Sequence, residues 1–337
     1  MSVIKVLSAE DVERLFTIPM AIEAVERAYR EKHTGQGGAW PMVFHEFNPG
    51  HADLDIKSGH LSGAGVYGLK VVSWFGDNPG KDLPALFGTS LIFDLATGEP
   101  KALLNAGPIT DYRTGAAAAI GAKYLARPDA KTLLLCGCGA LAPYLVSAAL
   151  FALPGLESVL LANPKTPEKA EALCPAITEK ADELLRAGGG SRRAEIVPAQ
   201  LESGVKQADV IFTATPAYEP YLKAEWVRPG THLSCVGADM SGKEEVEAAL
   251  FRTARVFGDD EGQCLSVGEC EIPHKKGILD RLQGEIGAVM AGVIPGRTAP
   301  EDITIFDSTG IALQDLASAA DILEAAERQR IGAEVKL

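Results

Sequence analysis

An apolar run, Lys131 to Cys136, leads into Gly137-Cys-Gly139-Ala140-Leu141-Ala142 and then into an uninterrupted helical stretch. This succession constrains the fold more than any other part of the chain. The first glycine permits a tight turn, and the second lets backbone amides approach a pyrophosphate. The alanine lets the helix pack close to the strand, with phosphates at its positive N-terminus. Gly-x-Gly-x-x-Ala alone is equally satisfied by a structural turn. Here a second strand pattern follows at Ser158 to Ala162, at the distance a βαβ unit requires, and the segment reads as a dinucleotide-binding turn.

At 337 residues, 47% hydrophobic and 23% charged, the chain is long enough for two cored domains. A formal net charge of -13 with scattered Lys and Arg argues against a nucleic-acid partner. The opening Met1-Ser-Val-Ile-Lys5 lacks the features of a secretory signal and no apolar run reaches spanning length, so a cytoplasmic protein without a membrane partner is expected. The six cysteines include no Cys-x-x-Cys pair, and the six histidines show no metal spacing. Buried thiols and no metal are the expectation.

Ser8 to Phe16 and Thr17 to Lys32 read as two helices, each opening on a capping hydroxyl. Strand patterns follow at Trp40 to Phe47, Asp53 to Lys57, Val66 to Phe75, Leu86 to Asp94 and Lys101 to Asn105, with a hairpin turn at residues 96–99. Thr110 to Ala126 is an alanine-rich helix. Beyond it strands and helices alternate, with strands at Thr132, Ser158, Ala194, Asp209, His232, Arg255 and Ile303, which implies a parallel, doubly wound sheet. A last helix spans about Ile311 to Gln329.

Several side chains have a chemical reading beside a plainer one. Asn163-Pro-Lys165-Thr166 ends the second strand, where an acid would grip the ribose of NAD. No acid is present; Asn163 suits a ribose hydroxyl and Lys165 with Thr166 a 2′-phosphate, which favours NADP over NAD. The plainer reading is a solvated loop before the helix at Pro167. Arg113, in Thr110-Asp-Tyr-Arg113, is placed at a helix start where amides and guanidinium favour an anion, or else is a surface arginine. Lys70 and Lys57 alternate with apolar neighbours and are either paired inside or snorkelling from an edge. Asp239 follows a late parallel strand and would overhang the carboxyl edge, where a carboxylate can move protons; otherwise it caps a helix at Glu244 to Phe251.

Taken together, Gly-Leu-Lys70, Thr110-x-x-Arg113-Thr, Gly137-x-Gly139, Val236-Gly-Ala-Asp239-x-x-Gly-Lys243 and Ile305-Phe-Asp-Ser-Thr-Gly310 resemble the ornithine cyclodeaminase and mu-crystallin family over nearly the whole chain. Ser266-Val-Gly-Glu-Cys270 with Ile305 to Ala317 more narrowly resembles its branch containing bacterial iminosuccinate reductase; Glu269 and Cys270 are given no role. The resemblance implies a homodimer. An α+β substrate-binding and dimerisation domain (1–121 and 309–337) would accompany a Rossmann-type NAD(P)-binding domain (122–308). By motif position Lys70 and Arg113 would hold the α-carboxylate, with Thr309 beside them, and Asp239 would act in proton transfer at the substrate nitrogen, Lys70 serving it in catalysis. Gly137, Gly139, Ala140 and Leu141 would hold the pyrophosphate. Thr89, Thr213, Thr215, Val236, Gly237, Lys243 and Ser308 would line the cofactor, with Arg113 and Asp239 next to it.

Two departures from the family pattern bear on substrate. Many relatives carry an arginine near Phe44 and His45, and this chain has none there. Where the cyclodeaminases carry Glu followed by Met-Pro, this chain has Asp55-Ile-Lys57-Ser-Gly. A lysine there opposes a cationic ornithine side chain and suits an anionic one. The expected activity is an NAD(P)-dependent imine reductase or amino-acid dehydrogenase acting on a small α-imino or α-amino acid, dicarboxylic ones included. Ornithine or lysine cyclodeamination with catalytic NAD stays open as an alternative, as does a mu-crystallin-like binding protein.

Overall fold

A computed structural model describes residues 3–48 and 50–337. The chain divides into two compact units, Met1–Arg113 with Ile311–Leu337, and Thr114–Gly310. The division falls inside one helix, Ala106–Leu125, which also contains the expected boundary at 121.

The first unit is built on an eight-stranded sheet. Its strands are β1 (Val3–Leu7), β2 (Gly37–Ala39), β3 (Val43–Asn48), β4 (Ala52–Leu61), β5 (Val66–Phe75), β6 (Leu86–Asp94), β7 (Pro100–Asn105) and the last strand, Ala333–Lys336. Spatial order runs from that last strand through β1, β7, β6, β5 and β4 to β2, with β3 also on β4. Apart from the parallel β1–β7 pair, the pairings are antiparallel. The register Lys57↔Lys70↔Ser90 puts these three on one face, and Ile56↔Val71↔Thr89 on the other. The C-terminal helix, Ala312–Gln329, packs on the Lys70 face. The opposite face carries a row Leu69↔Leu91↔Leu103, and remains accessible at Phe75, Phe87 and Leu103, which are 36%, 49% and 36% exposed.

Local chemistry explains the agreements and the differences. Ser8 forms a capping box with Asp11 at the start of α1 (Ala9–Leu15), whereas Thr17 makes no side-chain cap for α2 (Ile18–His33). Between β6 and β7, Asp94 accepts from the amides of Ala96 and Thr97, closing the expected turn. The strand expected from Trp40 to Phe47 opens late, as β3 from Val43, past Pro41, which has no amide to give a ladder, and β2 ends before Trp40.

The second unit carries the doubly wound sheet: β8 (Thr132–Cys136), β9 (Ser158–Ala162), β10 (Glu195–Pro198), β11 (Val210–Thr213), β12 (His232–Cys235), β13 (Arg255–Gly258), β14 (Gly284–Glu285) and β15 (Thr304–Asp307). All its pairings are parallel, in the order β10-β9-β8-β11-β12-β15-β13-β14. Residues of β8, β11, β12 and β15 are buried almost without exception, as strands covered on both faces must be. Strand order reverses between β8 and β11, the topological switch at whose carboxyl ends ligands bind. The helix expected at Glu244 to Phe251 is absent. Val246 bridges to Leu222 instead, and only a short 3-10 turn forms at Ala248–Arg252.

Candidate active site

The glycine turn joins β8 to the helix Ala142–Ala152 at the switch. Gly137 has φ +120°, and a Cβ there would lie 2.5 Å from the Ala214 carbonyl oxygen, so only glycine lets the turn pass the end of β11. Its amide donates to Ala162 O at 2.8 Å, tying the turn to β9. Gly139 has nothing within 4 Å of its Cβ position, and Gly139 and Ala140 are exposed ahead of the helix N-terminus. Open space beside small residues, in front of a helix dipole, fits a diphosphate.

At the end of β9, Asn163 Oδ1 accepts from the Thr166 amide at 2.9 Å, forming a small local turn. Asn163, Lys165 and Thr166 border a cleft of about 660 Å³, with Lys169, Thr215, Tyr218 and Tyr221 on its other sides. The loop is thus both a local turn and a cleft wall. Two lysines, Lys165 and Lys169, and one acid, Glu219, line the cleft.

Beyond β12, Val236 is buried and Gly237 leads to Asp239, which is 48% exposed at its side chain. Lys243 Nζ donates to Asp239 Oδ1 at 2.6 Å. With no helix at residues 244–247, Asp239 caps nothing of the kind expected, and the plainer reading of it falls. Lys243 is therefore placed first of all as the partner of Asp239. Thr213 is fully buried, so its hydroxyl reaches Glu245 rather than an open site, and the Thr215 hydroxyl makes the same bond. Ser308 and Thr309 each donate to buried Asp259, at 3.0 Å. Burial pushes the Glu245 carboxyl up against the pull of the Thr213, Thr215 and Tyr221 hydroxyls, and burial with the Glu245 charge pushes Glu269 higher.

In the first unit Lys57, Lys70 and Arg113 are 7%, 2% and 8% exposed. Lys70 is on a central strand and does not snorkel. Its Nζ donates to Asp315 Oδ1 at 2.9 Å and to Thr110 Oγ1 at 3.3 Å. Arg113 Nε lies 3.4 Å from the same Asp315 oxygen, and its Nη1 donates to Gln314 Oε1. Burial, with Arg113 and Lys57 nearby, lowers the Lys70 ammonium to about 8 against the pull of Asp315. Burial raises the Asp315 carboxyl, but Lys70 and Arg113 outweigh that and hold it below the usual range. One carboxylate serves both cations, and Arg113 Nε keeps a buried donor with no hydrogen-bond partner among the described residues. The helix begins at Ala106, four residues before Thr110, so Arg113 is about two turns inside it. The expected help from first-turn amides at Arg113 is therefore lost, and side chains alone make the site cationic.

Of the expected residues, the structure gathers Lys57, Lys70 and Arg113 in the first unit. It puts Thr89 on the opposite sheet face, exposed. Asp315, Glu245 and Asp259 are three of the buried acids that sequence reasoning missed. Asp315 sits in an apolar helical run, and Glu245 in a segment whose pattern looked helical. Among the described residues no cluster of three or more His, Cys, Asp or Glu is arranged to hold a metal. No described helix is long and apolar enough to cross a membrane.

Comparison with known proteins agrees with this architecture. The alanine dehydrogenase of Archaeoglobus fulgidus is 36% identical over 335 residues, 98% of each chain. The iminosuccinate reductase of Paracoccus denitrificans, solved in complex with NAD+, superposes with a TM-score of 0.89 at 32% identity, covering 99% of this chain and 100% of its own. The Delta(1)-pyrroline-2-carboxylate reductase of Thermococcus litoralis, solved with NADH and L-proline, also gives 0.89, at 28% identity over 98% of this chain and 100% of its own. The model of the ornithine cyclodeaminase/mu-crystallin family matches residues 2–330, and the chain belongs to that family.

Proposed function

We propose that the protein is an NAD(P)-dependent imine reductase or amino-acid dehydrogenase acting on a small α-imino or α-amino acid. One observation carries the reading: an exposed, lysine-paired Asp239 stands past the carboxyl end of a dinucleotide-type sheet. The chain is similar end to end to proteins named for redox chemistry at amino and imino acids. A bound nicotinamide supplies or accepts the hydride. Asp239 holds or delivers the proton at the substrate nitrogen, and Lys243 keeps that carboxylate oriented. Lys70 and Arg113 bind the α-carboxylate, for which Arg113 Nε, buried and ion-paired with Asp315 but without a hydrogen bond, is a donor. Such positioning supplies several kcal/mol of barrier lowering. Lys57 suits a second carboxylate, so dicarboxylic imino acids head the substrate list.

Lys165, Thr166 and Lys169 favour the 2′-phosphate of NADP over the bare ribose of NAD. The accessible apolar sheet face of the first unit pairs with a second copy to make a homodimer; an archaeal alanine dehydrogenase of this fold is a dimer. Unit Thr114–Gly310 binds the nucleotide, and the unit containing Lys70 binds substrate.

The test is a panel of 2-keto acids with ammonia or methylamine, following NADH and NADPH oxidation in parallel. Turnover with a dicarboxylic member and faster NADPH oxidation are expected. Asp239→Asn lowers kcat by about 10²–10⁴-fold and leaves cofactor binding intact. Unaltered kcat in that variant removes Asp239 from the reaction, and ammonia released from ornithine without NADH accumulation makes the protein a cyclodeaminase.

A further inference from the structure

Glu245 is completely buried, yet its carboxylate takes five donors. Oε2 accepts from Thr213 Oγ1 at 2.6 Å and from the Gly237 amide at 3.2 Å. Oε1 accepts from the amide and hydroxyl of Thr215, both at 2.7 Å, and from Tyr221 Oη at 2.8 Å. These donors come from the carboxyl end of β11, from the loop after it and from the loop after β12. One side chain therefore stitches together two adjacent loops beside the topological switch.

The fit is close. A Cβ on Gly237 would lie 2.4 Å from Glu245 Oε2 and 2.5 Å from the Thr215 carbonyl oxygen, so the Gly237 backbone can pass only because it carries a hydrogen there. On the far side, fully buried Glu269 accepts from the Glu245 amide at 2.9 and 3.1 Å and from the Val246 amide at 2.7 Å, fixing the backbone that presents Glu245. Asp239 follows Gly237 by two residues, so the anchored amide is the last fixed point before the acid. A fully satisfied buried network of this kind rigidifies what it touches.

We propose that Glu245 is the positioning residue that sets where Asp239 stands, and that Glu269 holds Glu245 in place. The inference rests on the reading of Asp239 as the proton-transfer group. Glu245→Gln keeps the shape but turns an amide toward groups that donate. In that variant kcat falls about 10²-fold, the KM for the imino acid stays within about twofold, and NADH binds about tenfold more weakly. The pH at which kcat falls also shifts, which loss of stability alone would not cause. Tyr221→Phe removes a single donor, and a smaller fall in kcat with a shift in the same direction is expected at unchanged Tm.

Folded Glu245→Gln with wild-type kcat, NADH affinity and pH profile overturns the proposal. Should that variant not fold, Tyr221→Phe decides: a wild-type kcat and pH profile there overturns it equally. A wild-type protein that binds NADH but reduces no imine counts against the function reading alone. Glu245 is then judged by NADH affinity, where equality of wild type and Glu245→Gln overturns it.

Discussion

Lys70 shows how a single buried charge can tie activity to pH. Its ammonium is held near 8, below the ordinary lysine value, chiefly by burial. It is therefore charged below about 8 and loses its proton as the pH rises through that value. If Lys70 binds the substrate carboxylate, kcat/KM for the imino acid falls above about pH 8 while NADH affinity does not. Lys70→Arg, which stays protonated, moves that fall to higher pH. Initial rates against pH with both proteins check this; a KM that is flat through pH 8 in the wild type takes Lys70 out of the carboxylate site. Sequence alone could place Lys70 in a strand but not choose between snorkelling and pairing, because its partner Asp315 is 245 positions away. Asp315 was invisible for the converse reason, being the one acid in a run, residues 311–319, that is otherwise core.

At the level of elements, legibility followed local chemistry. β5, β6 and β13 have the expected bounds because alternation or a short apolar run is punctuated by clear turn residues. β1 and the last strand, Ala333–Lys336, escaped notice; the latter is an edge strand of exposed residues that, among the described residues, pairs with β1 alone. The helix from Ala106 carries Gly107 and Pro108 in its first turn, where proline is tolerated, and those residues read as a break. Residues 244–247 look helical in pattern but are held extended by the Leu222 bridge and by Glu269. The glycine turn after β8 was the most legible element of the candidate site, since strand, Gly-x-Gly and helix follow one another in a single local pattern. Gly137→Ala sets a Cβ 2.5 Å from the Ala214 carbonyl oxygen and strains a φ of +120°. Titration with NADH is expected to show affinity weakened by about tenfold or more, at a stability cost of about 1–3 kcal/mol. Wild-type affinity in the folded variant would mean the cofactor does not depend on this turn.

For the whole molecule, the row Leu69, Leu91 and Leu103 on the accessible sheet face is the feature with the widest reach. Apolar faces of this kind mark association surfaces. Leu91→Asp puts a charge in the centre of the row. Light scattering is expected to give twice the chain mass for wild type and the single chain mass for this variant, with NADH still bound. Equal masses for the two proteins would place any interface elsewhere.

Residues 311–337 belong to the same compact unit as 1–113. A ribosome delivers the second unit as one continuous stretch, ready to fold as it emerges. The first unit cannot close in that order: Lys70 and Arg113 are synthesised long before Asp315, the anion that lets them be buried. In synthesis from the N-terminus the lysine strand therefore receives its counter-charge only after residues 114–310 have been made.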